Sequence, residues 1–197
     1  DLKMYSHIKD EKRRTYAAMV HRLDINVGRI VKELKKHGVY ENTVVVFFSD
    51  NGGPTKNNGS INAPFNGGKG ILLEGGIRTP FVISYPKKLK KGIYNSPITS
   101  LDLMPTFIEL AGGKITEKDK LDGVNIFPYI TNEIKGVPHQ TMMWRFTISA
   151  GMRKGNWKLI RLPDRIPLLF NLDNDPSEQN NIALENLDLV KSMLKEL

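Results

Sequence analysis

The segment Thr43-Val44-Val45-Val46-Phe47-Phe48-Ser49-Asp50-Asn51-Gly52-Gly53 decides the fold of this chain. Its first six residues are all β-branched or aromatic, which predicts a buried strand that is apolar on both faces. Just before it, apolar residues recur at helical spacing over residues 15–37, and Gly38 provides a helix stop. A helix followed by a buried strand predicts an α/β domain, in which helices cover a mixed, mostly parallel sheet.

The elements that follow change character near Pro138. A long loop over residues 49–76, rich in glycine and asparagine, leads to a second buried strand at residues 80–85 and a helix at about residues 101–111. After Pro138 the sequence predicts short antiparallel strands and a last helix, at residues 141–149, 150–161, 168–172 and 187–197.

This change of character predicts two parts. Residues 1–137 are expected to form an α/β part, and residues 138–197 a small antiparallel β-sheet with a packed helix. The chain opens at Asp1, without an initiator methionine and without a secretory signal. We therefore expect the chain to be part of a longer protein, and its fold to be a partial one.

The composition excludes several kinds of site. The 197 residues contain no cysteine, so disulfides, thiolate zinc sites and a cysteine nucleophile within the chain are excluded. No apolar run approaches the roughly 18–20 residues that span a bilayer, and no membrane span is expected. The formal net charge of +8 fits either a polyanionic partner or dispersed surface lysines. Because no basic stripe is interleaved with aromatic residues, we expect no nucleic-acid partner.

Asp50 and Asn51 directly follow the first predicted strand. In open α/β sheets, ligands bind beyond the carboxyl ends of the strands, so this position favours a site. A carboxylate beside a carboxamide offers two hard oxygen ligands, which suit calcium or magnesium. The alternative is an ordinary turn in which both side chains bond their own backbone, and the residues alone favour the turn.

Lys69 is the second candidate, because glycines flank it in Gly67-Gly68-Lys69-Gly70. A lysine in such a loop can reach a sulfate or phosphate oxygen as a compact point charge. The alternative is an exposed lysine in a flexible surface loop. The following segment, Glu74-Gly75-Gly76-Ile77-Arg78-Thr79-Pro80, reads as mainly structural, with Glu74 and Arg78 able to pair.

The order of these motifs resembles the C-terminal half of formylglycine-dependent sulfatases, arylsulfatase-like enzymes of the alkaline-phosphatase superfamily. The similarity rests on the motifs above and on four later ones. These are Ser100-Leu-Asp102-Leu-Met-Pro105-Thr106, Leu121-Asp122-Gly123-Val124, Gly155-Asn-Trp157-Lys158-Leu159, and Leu169-Phe-Asn-Leu172 followed by Asp175-Pro176-Ser-Glu178-Gln-Asn180.

The resemblance implies an alkaline-phosphatase-like fold, with residues 1–137 as the C-terminal part of its catalytic domain. It also implies a role for three residues. Asp50 and Asn51 match two ligands of a divalent metal, usually calcium in this family, and Lys69 matches the lysine that contacts the sulfate group. The formylglycine nucleophile, which derives from a cysteine or a serine, belongs to an N-terminal half that this chain lacks. We therefore expect the chain to need that missing half as its partner and to be inactive alone.

The resemblance also implies the function, which is the hydrolysis of sulfuric esters in a sulfated small molecule or glycan, most of all a sulfated carbohydrate. Two alternatives remain open. One is a phosphonate or phosphodiester hydrolase of the same superfamily, and the other is a non-catalytic module that binds polyanions. The expected location is the periplasm or the exterior of a bacterium.

Three further side chains are candidates for contact with a sugar or its sulfate: Trp144, Arg145 and Arg153. Packing or plain surface exposure is the more common role for such residues in short strands. His139 receives no role from the sequence.

Overall fold

The structure, a computed structural model, describes residues 1–197. Its helices are α1 to α5, at Glu11–Lys36, Glu74–Ile77, Leu103–Leu110, Phe127–Ile130 and Leu187–Glu196. Its strands are β1 to β6, at Val45–Phe48, Phe81–Ser84, Thr141–Phe146, Ser149–Lys154, Trp157–Arg161 and Leu168–Asn171. No helix is long and apolar enough to cross a membrane. The chain divides into two units, one of Asp1–Lys88 with Met143–Leu197 and the other of Leu89–Met142.

Helix α1 confirms the first predicted helix and begins four residues before it. The Asp10 side chain caps the helix by accepting a hydrogen bond of 2.7 Å from the backbone N–H of Arg13. The helix ends at Lys36, and the chain turns away at Gly38, whose φ of 69° glycine adopts without strain. Apolar residues remain in solvent along the helix, among them Met19, which is 66% exposed, and Ile30, which is 61% exposed.

Strands β1 and β2 form a two-stranded antiparallel sheet, in which Val45 pairs with Ser84 and Phe48 with Phe81. The predicted burial of β1 on both faces is wrong for this chain, because Phe47 and Phe48 are about two-fifths exposed. An apolar run of this kind is typical of a strand inside a wider sheet that is covered on both faces. Here the sheet has only two strands, so much of β1 stays accessible to solvent.

The second sheet has four antiparallel strands in the order β3-β4-β5-β6. The segment 150–161, predicted as one strand, is in fact two strands, because the chain turns at Gly155 (φ 57°) and Asn156. One face of this sheet packs against α5 through Met152, Leu159, Leu169, Ala183, Val190 and Met193. Burial of such apolar side chains stabilises the fold by about 1.5–3 kcal/mol for each large one.

The other face of the sheet packs against the long loop that precedes β2. Ile160 and Phe170 of the sheet, together with Leu172 directly after β6, form a buried cluster with Leu72 of the loop. Trp144 packs against the same cluster. The loop is therefore held on the four-stranded sheet by apolar contacts.

In the second unit, Asp102 organises the start of α3. Its carboxylate is fully buried and accepts hydrogen bonds from the backbone N–H groups of Thr99 and Val124, at 2.8 and 2.9 Å. The Nε2 atom of His139 lies 2.9 Å from both of its oxygens. Thr99 and Asp102 form a capping box at this point. His139 thereby has a structural role, and the domain division at Pro138 stays a prediction.

Candidate functional site

The site begins at the carboxyl end of β1. The Ser49 hydroxyl donates a hydrogen bond of 2.9 Å to the backbone carbonyl of Asn51, and the backbone N–H of Asn51 donates one of 2.9 Å to Oδ1 of Asp50. The exposed Asp50 thus keeps Oδ2 free, and the side-chain amide of Asn51 makes no hydrogen bond. Part of the predicted turn bonding is therefore present, and two oxygen acceptors are still available.

Glycines allow the long loop to fold against itself. A Cβ on Gly52 would lie 1.7 Å from the carbonyl oxygen of Gly75, and one on Gly76 would lie 1.9 Å from that of Ile71. The backbone N–H of Gly52 donates a hydrogen bond of 2.9 Å to the carbonyl of Gly76. Larger residues cannot occupy these positions without a shift of the backbone, which explains the glycine content of the loop.

The Asn62 side chain connects three segments of the loop by hydrogen bonds. Its Oδ1 accepts a hydrogen bond of 2.9 Å from the backbone N–H of Gly53, and its Nδ2 donates to the carbonyls of Gly53 and Gly67, at 2.9 and 3.0 Å. The half-buried side chain therefore holds the segment that follows Asp50 and Asn51 against the segment that precedes Lys69.

Lys69 lies on the segment that Asn62 holds. Its backbone N–H donates a long hydrogen bond, of 3.4 Å, to the carbonyl of Gly53. Its side chain is exposed and forms no ion pair or hydrogen bond. The structure thus brings the backbone segments of the three predicted site residues together and leaves the lysine free, while their roles stay predictions.

The oxygens of Asp50 and Asn51 fit a hard divalent cation in kind but not in number. A carboxylate and a carboxamide are the ligand types that calcium prefers, and calcium takes about six to eight oxygens. The structure has no group of three or more His, Cys, Asp or Glu side chains that would hold a metal ion. Asp50 and Asn51 are therefore suited to be part of a cation site that other groups complete.

Three buried charges, which the sequence did not predict as a group, anchor the same loop. Lys158 of β5 is fully buried, and its Nζ lies 2.8 Å from Oε1 of Glu74 and 2.7 Å from Oε1 of Glu178. Both carboxylates are almost completely buried. The Oε2 atom of Glu178 also accepts a short hydrogen bond from the backbone N–H of Glu74, at the start of α2. We call these three residues the ion cluster.

Arg78, which lies at the surface, adds a second positive charge next to the ion cluster. Its Nη1 lies 3.6 Å from Oε2 of Glu74, which confirms the predicted pair. Its guanidinium also lies 4.5 Å from the centre of the Phe65 ring, within cation–π distance. Two carboxylates thus face two cations, although only Lys158 is fully buried with them.

Burial raises the pKa of the Glu178 carboxyl, and the nearby Lys158 ammonium opposes this rise. The pKa of Glu178 is therefore higher in the folded chain than in the unfolded chain. Between these two pKa values the folded chain holds one more proton than the unfolded chain, so the free energy of unfolding falls as pH rises through this range. We expect the wild-type chain to lose stability relative to Glu178→Gln from about pH 4 upward, by up to about 1.4 kcal/mol per pH unit. Urea unfolding of both proteins at a series of pH values measures the difference, and parallel curves would contradict the assignment.

The three candidates for sugar contact, Trp144, Arg145 and Arg153, differ in their surroundings. Trp144 packs into the apolar cluster with Leu72. The Nε atom of Arg153 donates a hydrogen bond of 3.0 Å to the carbonyl of Gly155 in its own hairpin. Arg145 is exposed and forms no ion pair. Two of the three residues therefore serve the fold.

Comparison with protein families gives two matches, which together cover almost the whole chain. Residues 3–113 match the sulfatase family model, and residues 67–197 match the model of the N-sulphoglucosamine sulphohydrolase C-terminal region. Among curated relatives, the uncharacterized sulfatase YdeN of Escherichia coli is 36% identical over 66% of this chain and 23% of that protein. Arylsulfatase J of Mus musculus is 29% identical over 98% of this chain and 40% of that protein.

Solved structures show the same relationship. Ps i-CgsB is 37% identical with a TM-score of 0.90, over 99% of this chain and 44% of that one, and it has also been solved in complex with k-i-k-neocarrahexaose. BT4656, in complex with its substrate D-glucosamine-2-N,6-O-disulfate, is 25% identical with a TM-score of 0.73, over 93% of this chain and 39% of that one. The chain thus spans less than half the length of each of these relatives.

Proposed function

The chain belongs to the sulfatase family and has part of its alkaline-phosphatase-like fold, and from this premise we propose that it is the C-terminal part of a sulfuric ester hydrolase. One observation carries the proposal furthest. The free Lys69 side chain and the free oxygens of Asp50 and Asn51 lie on backbone segments that Asn62 and the loop glycines hold together. A cation and a set of hard oxygen ligands in one loop are what a sulfate ester site requires.

The roles of the three residues follow from their chemistry. The Lys69 ammonium binds a sulfate oxygen and offsets the negative charge that the sulfuryl group carries as it is transferred. Asp50 and Asn51 supply two ligands to a divalent cation, which we propose to be calcium. When bound, such a cation polarises the sulfuryl oxygens as a Lewis acid.

We propose that the nucleophile comes from outside this chain, which contains no cysteine and no Ser-x-Pro-x-Arg motif. We assign it to a formylglycine in an N-terminal half of the same protein, which also completes the cation site. In line with this, the chain spans 44% of the similar structure Ps i-CgsB. The chain alone is then inactive, and its obligate partner is that half.

We propose a sulfated carbohydrate as the substrate. Two relatives support this class, since Ps i-CgsB was solved with k-i-k-neocarrahexaose and BT4656 with a disulfated glucosamine. The phosphonate hydrolase alternative has weaker support, because the phosphonate monoester hydrolase of Agrobacterium radiobacter is 19% identical and shares only the fold. Bacterial relatives such as YdeN favour a bacterial protein, for which we propose the periplasm or the exterior.

The first test is metal removal from the complete protein. We expect it to release sulfate from k-i-k-neocarrahexaose, to lose this activity in a chelator, and to regain it with calcium. Asp50→Ala should need at least about tenfold more calcium for half-maximal activity and should also bind calcium more weakly in calorimetry. Asp188→Ala is the matched control, because the Asp188 side chain is fully exposed on α5.

Two results would contradict the proposal. One is sulfate release by the 197-residue chain alone, which would show that no outside nucleophile is needed. The other is a peptide map of the complete protein without a Cys- or Ser-x-Pro-x-Arg peptide whose first residue has become formylglycine. Salt-dependent binding of sulfated glycans without any turnover would then favour the polyanion-binding module.

A further inference from the structure

The turn between β3 and β4 lies against the loop that holds Lys69. Strand β3 ends at Phe146, and a Cβ placed on Gly70 would lie 3.6 Å from Cε1 and Cζ of the Phe146 ring. Side chains two residues apart on a strand share a face, so Phe146 follows Trp144, which packs into the cluster with Leu72. Phe146 is therefore the next side chain after Trp144 on this face of β3. Its ring lies beside Gly70, the residue that follows Lys69.

The Phe146 ring is accessible to solvent, because the side chain is 48% exposed. The Thr147 hydroxyl donates a hydrogen bond of 2.7 Å to the backbone carbonyl of Phe146 at the end of the strand. A single exposed phenylalanine needs no explanation. An accessible ring next to the segment of a free lysine, however, combines an apolar surface with a charge, as ligand sites do.

We propose that Phe146 is a specificity residue that forms one wall of the sugar subsite, next to the sulfate that Lys69 binds. The apolar C–H face of the sugar ring packs on the phenyl ring, while the sulfate on the same sugar meets the Lys69 ammonium. This inference rests on the proposed function, because it needs Lys69 to bind sulfate. The ligand is a sulfated sugar unit within an oligosaccharide.

The geometry also explains the glycine at position 70. Gly70 has a φ of 83°, which glycine adopts freely, and it presents only a Cα to the phenyl ring. A side chain there would occupy space between the Phe146 ring and the Lys69 segment. The sugar ring is therefore expected on the exposed part of the phenyl ring and not between the ring and Gly70.

The test compares KM with kcat in the complete protein, with k-i-k-neocarrahexaose as substrate. We expect Phe146→Ala to raise KM about tenfold and to leave kcat within about twofold, because the lost contact with the sugar exists before and during the reaction. Phe146→Tyr keeps the ring and should restore the wild-type KM. Met143→Ala is the matched control, since Met143 is a half-exposed apolar residue of the same strand, on the face opposite to Phe146.

The outcomes separate this inference from the proposed function. If the wild-type protein is active and Phe146→Ala has an unchanged KM, the inference is wrong and the proposed function stands. An equal rise in KM for Met143→Ala would likewise overturn the inference, because the effect would not depend on the face of the strand. A complete protein that releases no sulfate from any sulfated sugar overturns both. Thermal unfolding checks that each variant is folded, as expected for a half-exposed position.

Discussion

Replacing Lys158 by methionine is expected to cost about 3–5 kcal/mol of unfolding free energy. The methionine has a similar length, so the cavity is small, but the two carboxylates of Glu74 and Glu178 lose the only fully buried cation between them. Each is almost inaccessible to water and cannot recover its hydration. Urea unfolding of the 197-residue chain at neutral pH measures the loss.

Lys154→Met is the matched control for this experiment. Lys154 lies on the neighbouring strand and pairs with Glu196 at the surface, where both side chains are partly exposed. Exposed ion pairs contribute about 0–1 kcal/mol, so the control should lose little. Adding Glu178→Gln to Lys158→Met should recover part of the loss, since one buried charge is removed. Equal losses for Lys158→Met and Lys154→Met would show that burial of the ion cluster has no energetic consequence.

Lys69→Ala should lower kcat of the complete protein on a sulfated oligosaccharide by about 100- to 1,000-fold. The free lysine has no other partner in this chain, so its removal should not disturb the fold. The lysine charge would matter most in the transition state, in which negative charge builds up on the sulfuryl oxygens. The substitution is therefore expected to lower kcat. Initial rates of sulfate release at saturating substrate measure the effect.

Lys56→Ala provides the comparison for Lys69→Ala. Lys56 is an exposed lysine of the same loop, so the two variants change the net charge equally. If both variants lost activity to a similar extent, a general electrostatic effect would explain the result, and Lys69 would have no direct contact with sulfate. A normal kcat in Lys69→Ala would remove the lysine from the site altogether.

Much of the secondary structure was predictable because the local patterns are strong. The helix before β1, both apolar strands of the first sheet and the last helix all lie where periodicity placed them. The turn at Gly155-Asn156 was missed, although Gly-Asn between two apolar runs is a known hairpin signal. The exposure of β1 was not predictable, because its apolar residues are those of a strand in a wider sheet, whereas the sheet in this chain has only two strands.

The site was predictable only in part. The residues alone favour an ordinary turn for Asp50 and Asn51 and a surface lysine for Lys69. Only the resemblance to sulfatases assigns a role to each of them. The ion cluster was not predicted, because Lys158 is separated from Glu74 by 84 residues. A lysine in a short strand is also normally read as a solvent-facing residue.

The ion cluster has a consequence for the order in which this protein becomes functional during synthesis. The backbone of Glu74 is bound by Glu178, which leaves the ribosome 104 residues later. At roughly 5–20 residues per second, the nascent loop therefore waits on the order of 5–20 s for its anchor. Until Glu178 has been translated, the segment that carries Lys69 lacks this anchor. A ribosome-stalled chain that ends before Glu178 would thus present the loop in a form that proteases can cleave.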